Sequence, residues 1–176
     1  DLFRQFLQQA LKRTKGKDFV KKLNRDIGKY FWENHQPETA LNYFVRSESY
    51  TEIVRILKVK GPDLIIRGDL SSLRKWIGCI PAGMIEQDPW LIFFQTMTQR
   101  IQGGKKNIKR FSTALSGFEK TGDIRGILLC VGYLIEAAVF VRQPSTAIMN
   151  WVEKGETLLL QLRQDEYYPW ARALLC

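Results

Sequence analysis

The sequence predicts an all-α fold, a set of antiparallel helix hairpins stacked as an irregular α-α superhelix. Two observations carry this prediction. Four pairs of residues four apart, Ala40/Phe44, Leu73/Ile77, Asn107/Phe111 and Ala147/Trp151, recur at separations of 33, 34 and 40 residues. A period near 34 is the length of a two-helix unit that buries its apolar face only by stacking on a neighbour. In addition, each β-branched residue sits in a 3.6-residue frame, so no strand is expected.

The elements follow in order. Leu2, Phe3, Phe6, Leu7 and Leu11 form one stripe ended by Gly16, an amphipathic helix. Phe19, Leu23, Ile27, Tyr30 and Phe31 repeat that spacing up to the polar stretch Glu33 to Gln36. Pro37 suits a first helical position and Glu38 the first turn, opening a helix that buries Ala40, Leu41, Phe44 and Val45. Ser49 can cap the next, through Ile53, Val54 and Leu57, which is expected to stop at Gly61-Pro62, with a short helix over Asp63 to Arg67.

Asp69 or Ser71 caps the segment with Leu73, Trp76, Ile77 and Ile80, which Pro81 stops. Asp88-Pro89 reads as cap and first residue of a helix over Trp90 to Ile101, with a turn at Gly103-Gly104. Ile108, Phe111, Leu115 and Phe118 mark a helix ending near Gly122, and Asp123 opens a long apolar helix to Val141. Gln143-Pro144-Ser145 breaks it, a further helix carries Ala147, Ile148, Trp151 and Val152, and a last one starts at Pro169. Ten or eleven helices are expected.

The length, 176 residues, suits about one domain with an adequate core. Three cysteines, Cys79, Cys130 and Cys176, are odd in number, widely spaced and without metal-ligand spacing, which points to the reducing cytosol and a cytoplasmic location. Cys79 and Cys130 read as small buried hydrophobes. The opening segment is interrupted by Arg4, Lys12 and Arg13 and does not read as a signal peptide. The longest apolar run, Ile127 to Val141, is 15 residues with Glu136 inside it, too short for a membrane span. The start at Asp1 and the end at Cys176, inside a helical pattern, read as those of a piece of a longer protein.

The formal charge of +9 is uneven. Eight basic residues lie between Lys12 and Lys29, against Asp18 and Asp26, and a second cluster comprises Arg100, Lys105, Lys106, Lys109 and Arg110. Such clusters attract phosphate, acidic partners or neighbouring domains, or are simply solvated helix faces.

Catalytic chemistry is not legible. His35 is the sole histidine and lies in a polar turn, so a Ser-His-Asp or Cys-His arrangement would depend on it alone. Gly103-Gly104-Lys105-Lys106 lacks the first glycine and the Ser or Thr of a phosphate loop. Asp165-Glu166 reads as an exposed acidic start to the last segment, and Glu136 as either a buried carboxylate needing a partner or a member of a solvent strip. No cofactor or metal is expected in this segment, and no enzyme activity. Of the five tryptophans, Trp32 stands out because adjacent Phe31 and Trp32 do not share one narrow face.

Some segments are more specific than their periodicity. Asp1 to Leu7 is similar to the end of the winged-helix module that precedes the helical repeats in large ATP-dependent LuxR-type transcription activators, the maltose-regulon activator family. Pro37-Glu38-Thr39-Ala40-Leu41 is similar to that family's first-repeat element. The segment Arg67-Gly68-Asp69-Leu70-Ser71-Ser72-Leu73-Arg74-Lys75-Trp76-Ile77-Gly78-Cys79-Ile80-Pro81 resembles its Arg-Gly-acid-Leu, Leu, Trp-Leu, Leu-Pro signature, and Asp88-Pro89-Trp90-Leu91 the stretch that follows. The likeness covers about residues 1 to 120. Against a regular tetratricopeptide (TPR) repeat the fit is irregular, with Gln95 and Asn107 where small residues are usual.

The resemblance implies residues 1–16 as the end of a winged-helix module or a linker helix, and residues 17–176 as a TPR-like repeat domain. It implies a non-catalytic sensor or coupling region that binds an inducer or regulatory protein and contacts other domains of its parent, with self-association possible. ATP and DNA would be bound by separate modules outside this segment, and no membrane would be involved. Repeat geometry then places Lys22, Arg25, Lys29 and Trp32 on a groove-lining helix face, with Thr96, Gln99 and Glu136 at matching positions of later hairpins. A protein-binding helical scaffold unrelated to transcription is the alternative, and a nucleic-acid surface built from the basic clusters a third.

Overall fold

The computed structural model describes residues 10, 13–102 and 104–161, and among these there is no strand. Nine helices of four or more residues are described: α1 (Lys17–Glu33), α2 (Pro37–Arg46), α3 (Tyr50–Ile66), α4 (Leu70–Ile77), α5 (Ala82–Ile85), α6 (Pro89–Thr98), α7 (Lys105–Thr121), α8 (Ile124–Phe140) and α9 (Ser145–Gln161). The chain divides after Gly68 into two compact units, Asp1–Gly68 and Asp69–Cys176. The all-α expectation holds. The expected winged-helix end, Cys176 and the helix from Pro169 lie outside the described residues, apart from a few positions before Gly16.

In the N-terminal unit α1 packs on α2, and α2 on α3. The α1–α2 contact is close because Gly28 has no side chain: an added Cβ would stand 2.8 Å from Phe44 Cε1. Phe44 is fully buried with Ala40, Leu41, Ile53, Ile56 and Leu57. Burying a ring of this size contributes roughly 1.5–3 kcal/mol. Phe31 and Tyr43 stack across the hairpin with centroids 5.5 Å apart, and the Lys21 ammonium donates to Glu48 Oε2 at 2.6 Å.

One expectation is overturned here. Helix α3 does not stop at Gly61-Pro62 but runs through both to Ile66, with Pro62 buried inside it. Gly61 lacks the Cβ that would clash with the proline ring, and burial of Leu64 and Ile65 offsets the lost backbone hydrogen bond. Ser49 precedes α3 without a side-chain cap bond; its hydroxyl lies 2.8 Å from that of Ser47.

The C-terminal unit is built around α6. Helices α4 and α5 pack on it, and α6, α7, α8 and α9 then pack each on the next. The caps read from sequence are in place. Asp69 Oδ1 accepts from Ser72 N–H at 3.1 Å, and Ser71 donates to the same oxygen. Asp88 Oδ1 accepts from Trp90 N–H at 3.0 Å with Pro89 at the first helical position, and Asp123 Oδ1 accepts from Gly126 N–H at 3.0 Å. Gly122 ends α7 in the left-handed conformation at φ 69°. The single turn α5, after Pro81, was not expected, and α6 ends at Thr98, three residues before Ile101.

Trp90, Phe93, Phe94, Phe111, Phe118 and Tyr133 form one aromatic cluster joining α6, α7 and α8, with centroid distances from 4.9 Å (Trp90–Phe118) to 6.5 Å (Phe93–Phe118). The Trp90 indole N–H donates to Asp123 Oδ2 at 2.7 Å, tying the start of α6 to the cap of α8. Arg74 Nη2 donates to Thr98 O at 2.6 Å, tying α4 to the end of α6. Among the described residues no helix is long and apolar enough to cross a membrane.

Candidate functional site

The α1 face that meets α2 is made of Val20, Asn24, Ile27, Gly28 and Phe31, none of which is exposed. Lys22, Arg25 and Lys29 are turned away from that face and all three are exposed. Spaced three and four apart, they form one stripe, with Asp26 beside them at four residues from Lys22. Among the described residues α1 packs mainly on α2, and the stripe lies on the opposite side of the helix.

Trp32 ends the stripe, half-buried. The Arg55 guanidinium, from α3, lies 5.8 Å from the Trp32 ring centroid, a cation–π contact. Trp32, Glu33, His35, Pro37, Val59 and Lys60 enclose a hollow of about 360 Å³ between the α1–α2 turn and α3. His35 sits in that turn with φ 56° and is exposed. Arg55, Val59 and Lys60 are contributors that sequence reasoning missed. Exposed Val59 one helical turn after Arg55 was the available signal, but α3 docks there only through tertiary packing.

The three later positions behave differently. Thr96 is 0 % exposed, and its hydroxyl donates to Ile92 O at 2.7 Å, so it lines no groove. The correction has a simple cause: α6 is covered by α4, α5 and α7, so a position that would face outward in a terminal hairpin faces packed side chains. Gln99 is exposed just past the end of α6. Glu136 is exposed, which settles its two readings in favour of the solvent strip, and its Oε2 lies 3.4 Å from Arg100 Nη1. Thus Lys22, Arg25, Lys29 and Trp32 share one helix in the N-terminal unit, while Gln99 and Glu136 belong to the C-terminal unit.

The cysteines also separate. Cys130 is fully buried, and burial pushes its thiol well above the usual range, with Asp123 and Glu119 adding to the rise. Cys79 is only half-buried, and its thiol donates to Lys75 O at 3.2 Å, so the reading of both as buried hydrophobes holds for Cys130 alone. Burial likewise raises the Tyr133 phenol; Glu136 adds to this and Arg100 opposes it.

Comparison of the chain with models of protein families, with curated proteins and with solved structures finds no match.

Proposed function

We propose that this chain is a non-catalytic interaction module, the sensor or coupling helical-repeat region of an ATP-dependent LuxR-type transcriptional regulator. It receives an inducer or regulatory protein and relays that event to ATPase and DNA-binding modules elsewhere in the parent. The observation that supports a binding role is the exposed basic stripe Lys22, Arg25 and Lys29, ending at the Trp32 hollow with Arg55, His35 and Lys60 around it. Several cations beside an aromatic face suit an acidic ligand or an acidic surface. The placement within a regulator rests on the likeness of the segment Arg67 to Pro81 to the family signature.

A bound partner shifts a resting-to-active equilibrium only by its differential affinity for the two states. Charge reversal at all three stripe positions, K22E/R25E/K29E in the natural protein, is therefore expected to weaken partner binding and blunt activation together. Unchanged binding and activation would reject the stripe. The flanking gene sequence tests the regulator itself: a phosphate-binding loop upstream and a helix-turn-helix downstream are expected. Without them, the reading reduces to a general protein-binding helical scaffold. Gel-shift titration against salt tests direct nucleic-acid binding, whose affinity would fall steeply with ionic strength.

A further inference from the structure

The C-terminal unit contains a second, smaller cleft of about 80 Å³ where the α6–α7 turn meets α7 and α8. Its floor and walls are Phe111, Tyr133 and Ala137, and its rim is Ile101 and Phe140, which are 77 % and 69 % exposed. Two large apolar side chains held in water beside an apolar cleft are a cost that a ligand would remove.

Arg100 stands at the same cleft and is short of acceptors. Its guanidinium offers five N–H donors. Among the described residues, Nη1 reaches Glu136 at a long 3.4 Å, and Nε is buried with no acceptor. The guanidinium carbon lies 5.7 Å from the Tyr133 ring centroid, and Asn107 Nδ2 holds the Arg100 carbonyl at 2.7 Å, so the residue is positioned rather than free. An under-bonded guanidinium over an apolar floor matches a ligand with one carboxylate and a short apolar body, because a carboxylate accepts two parallel N–H bonds from arginine. The local field has the same sign. Gly104, which lines the cleft, starts the 17-residue helix α7 without a side-chain cap, and Lys105 and Lys106 but no acid occupy its first turn.

We propose that this cleft binds a small amphiphilic carboxylate, its head on Arg100 in place of Glu136 and its apolar body between Phe111, Ala137 and Phe140. A mostly apolar lining with one placed charge is the character of small-ligand sites. The cleft belongs to the C-terminal unit and shares no residue with the α1 stripe.

Hexanoate and the neutral 1-hexanol, titrated into the chain and followed by calorimetry and by amide shifts at Ile101 and Ala137, test this. The expected result is saturable hexanoate binding at least tenfold tighter than hexanol, with shifts confined to the cleft. R100Q is expected to lose at least tenfold in hexanoate affinity. E136Q removes the competing negative charge and is expected to bind severalfold more tightly, a gain that misfolding does not produce. No saturable binding, equal affinity for acid and alcohol, or an E136Q variant no tighter than the parent would each overturn the proposal.

Discussion

Helices α1 and α6 differ in how much of themselves they commit to packing. Of the 17 residues of α1 only Gly28 is buried, and Phe19, Leu23 and Tyr30 remain exposed. Of the 10 residues of α6, eight are buried, among them Trp90, Phe93, Phe94 and Met97. The contrast follows from neighbours: among the described residues α1 packs mainly on α2 and meets α3 at Trp32, whereas α6 is covered by α4, α5 and α7. It teaches that a helix rich in exposed charge at the margin of a unit is available for binding, whereas a central helix supplies stability and leaves no face for a partner. The proposed stripe and the misplaced Thr96 are the two sides of this difference.

The strongest way to break the comparison is to remove the centre of the aromatic cluster. Phe93 is fully buried and its ring lies within 6.0 Å of Trp90, Phe94, Phe111 and Tyr133. Phe93→Ala is expected to destabilise the C-terminal unit by about 3–5 kcal/mol, read as a shift in the urea midpoint at unchanged slope. Next is Asp123→Ala, which removes the α8 cap and leaves the Trp90 indole N–H without its acceptor. A loss of about 2–3 kcal/mol is expected in the same assay.

A paired substitution sharpens the comparison. An added Cβ at either glycine would approach a ring more closely than real Cβ atoms do, at Gly126 against Phe118 more so than at Gly28, where the nearest Phe44 atom stands at 2.8 Å. Phe118 is held by Trp90 and Phe93, so it has less room to yield than Phe44 against the marginal α1. Gly126→Ala is expected to cost about 1–3 kcal/mol. Gly28→Ala should cost less, because its clash is the milder of the two; the helix-propensity gain of about 1 kcal/mol accrues at both positions. Equal losses in thermal melts would remove the distinction between the helices.

The smallest effect is alkaline. Burial raises the Tyr133 phenol above its usual pKa of about 10, so the folded state keeps a proton that the unfolded chain releases first. The associated stability is present in full below about pH 10 and is lost as pH rises through the folded value. The hydrogen bond to Glu48 raises Lys21 in the N-terminal unit, and that contribution too is lost as pH rises past the ordinary lysine range. The Lys21 effect is the weaker because the ammonium is solvated and salt screens it. Denaturation series at neutral and alkaline pH should show Tyr133→Phe flattening the decline more than Lys21→Met, and only the Lys21 share should vanish in high salt.

Much of the helix order was legible because its signals are local. Asp88-Pro89, Asp123 and the glycine at 122 mark ends that lie within four residues of the groups they satisfy. The repeated doublets were legible in part: Ala40/Phe44, Leu73/Ile77 and Asn107/Phe111 are all buried, but Ala147 and Trp151 are only half-buried on α9. The stop at Pro62 was misjudged because Leu64 and Ile65 are buried, and packing overrode a local breaker. The stripe on α1 could be read from spacing alone. The Trp32 hollow could not, since Trp32 and Arg55 come together only when α3 is docked.

By itself the sequence determined the all-helical class, most helix ends and the charge of α1, because periodicity, caps and side-chain spacing act over one or two turns. Tertiary structure alone decided which helix became central, that Thr96 is buried, that α3 continues through Pro62, and that Arg100 meets Glu136 and Tyr133 over an apolar cleft. Those outcomes depend on contacts between residues tens of positions apart. Their free energy is set by shared burial, which no local pattern records.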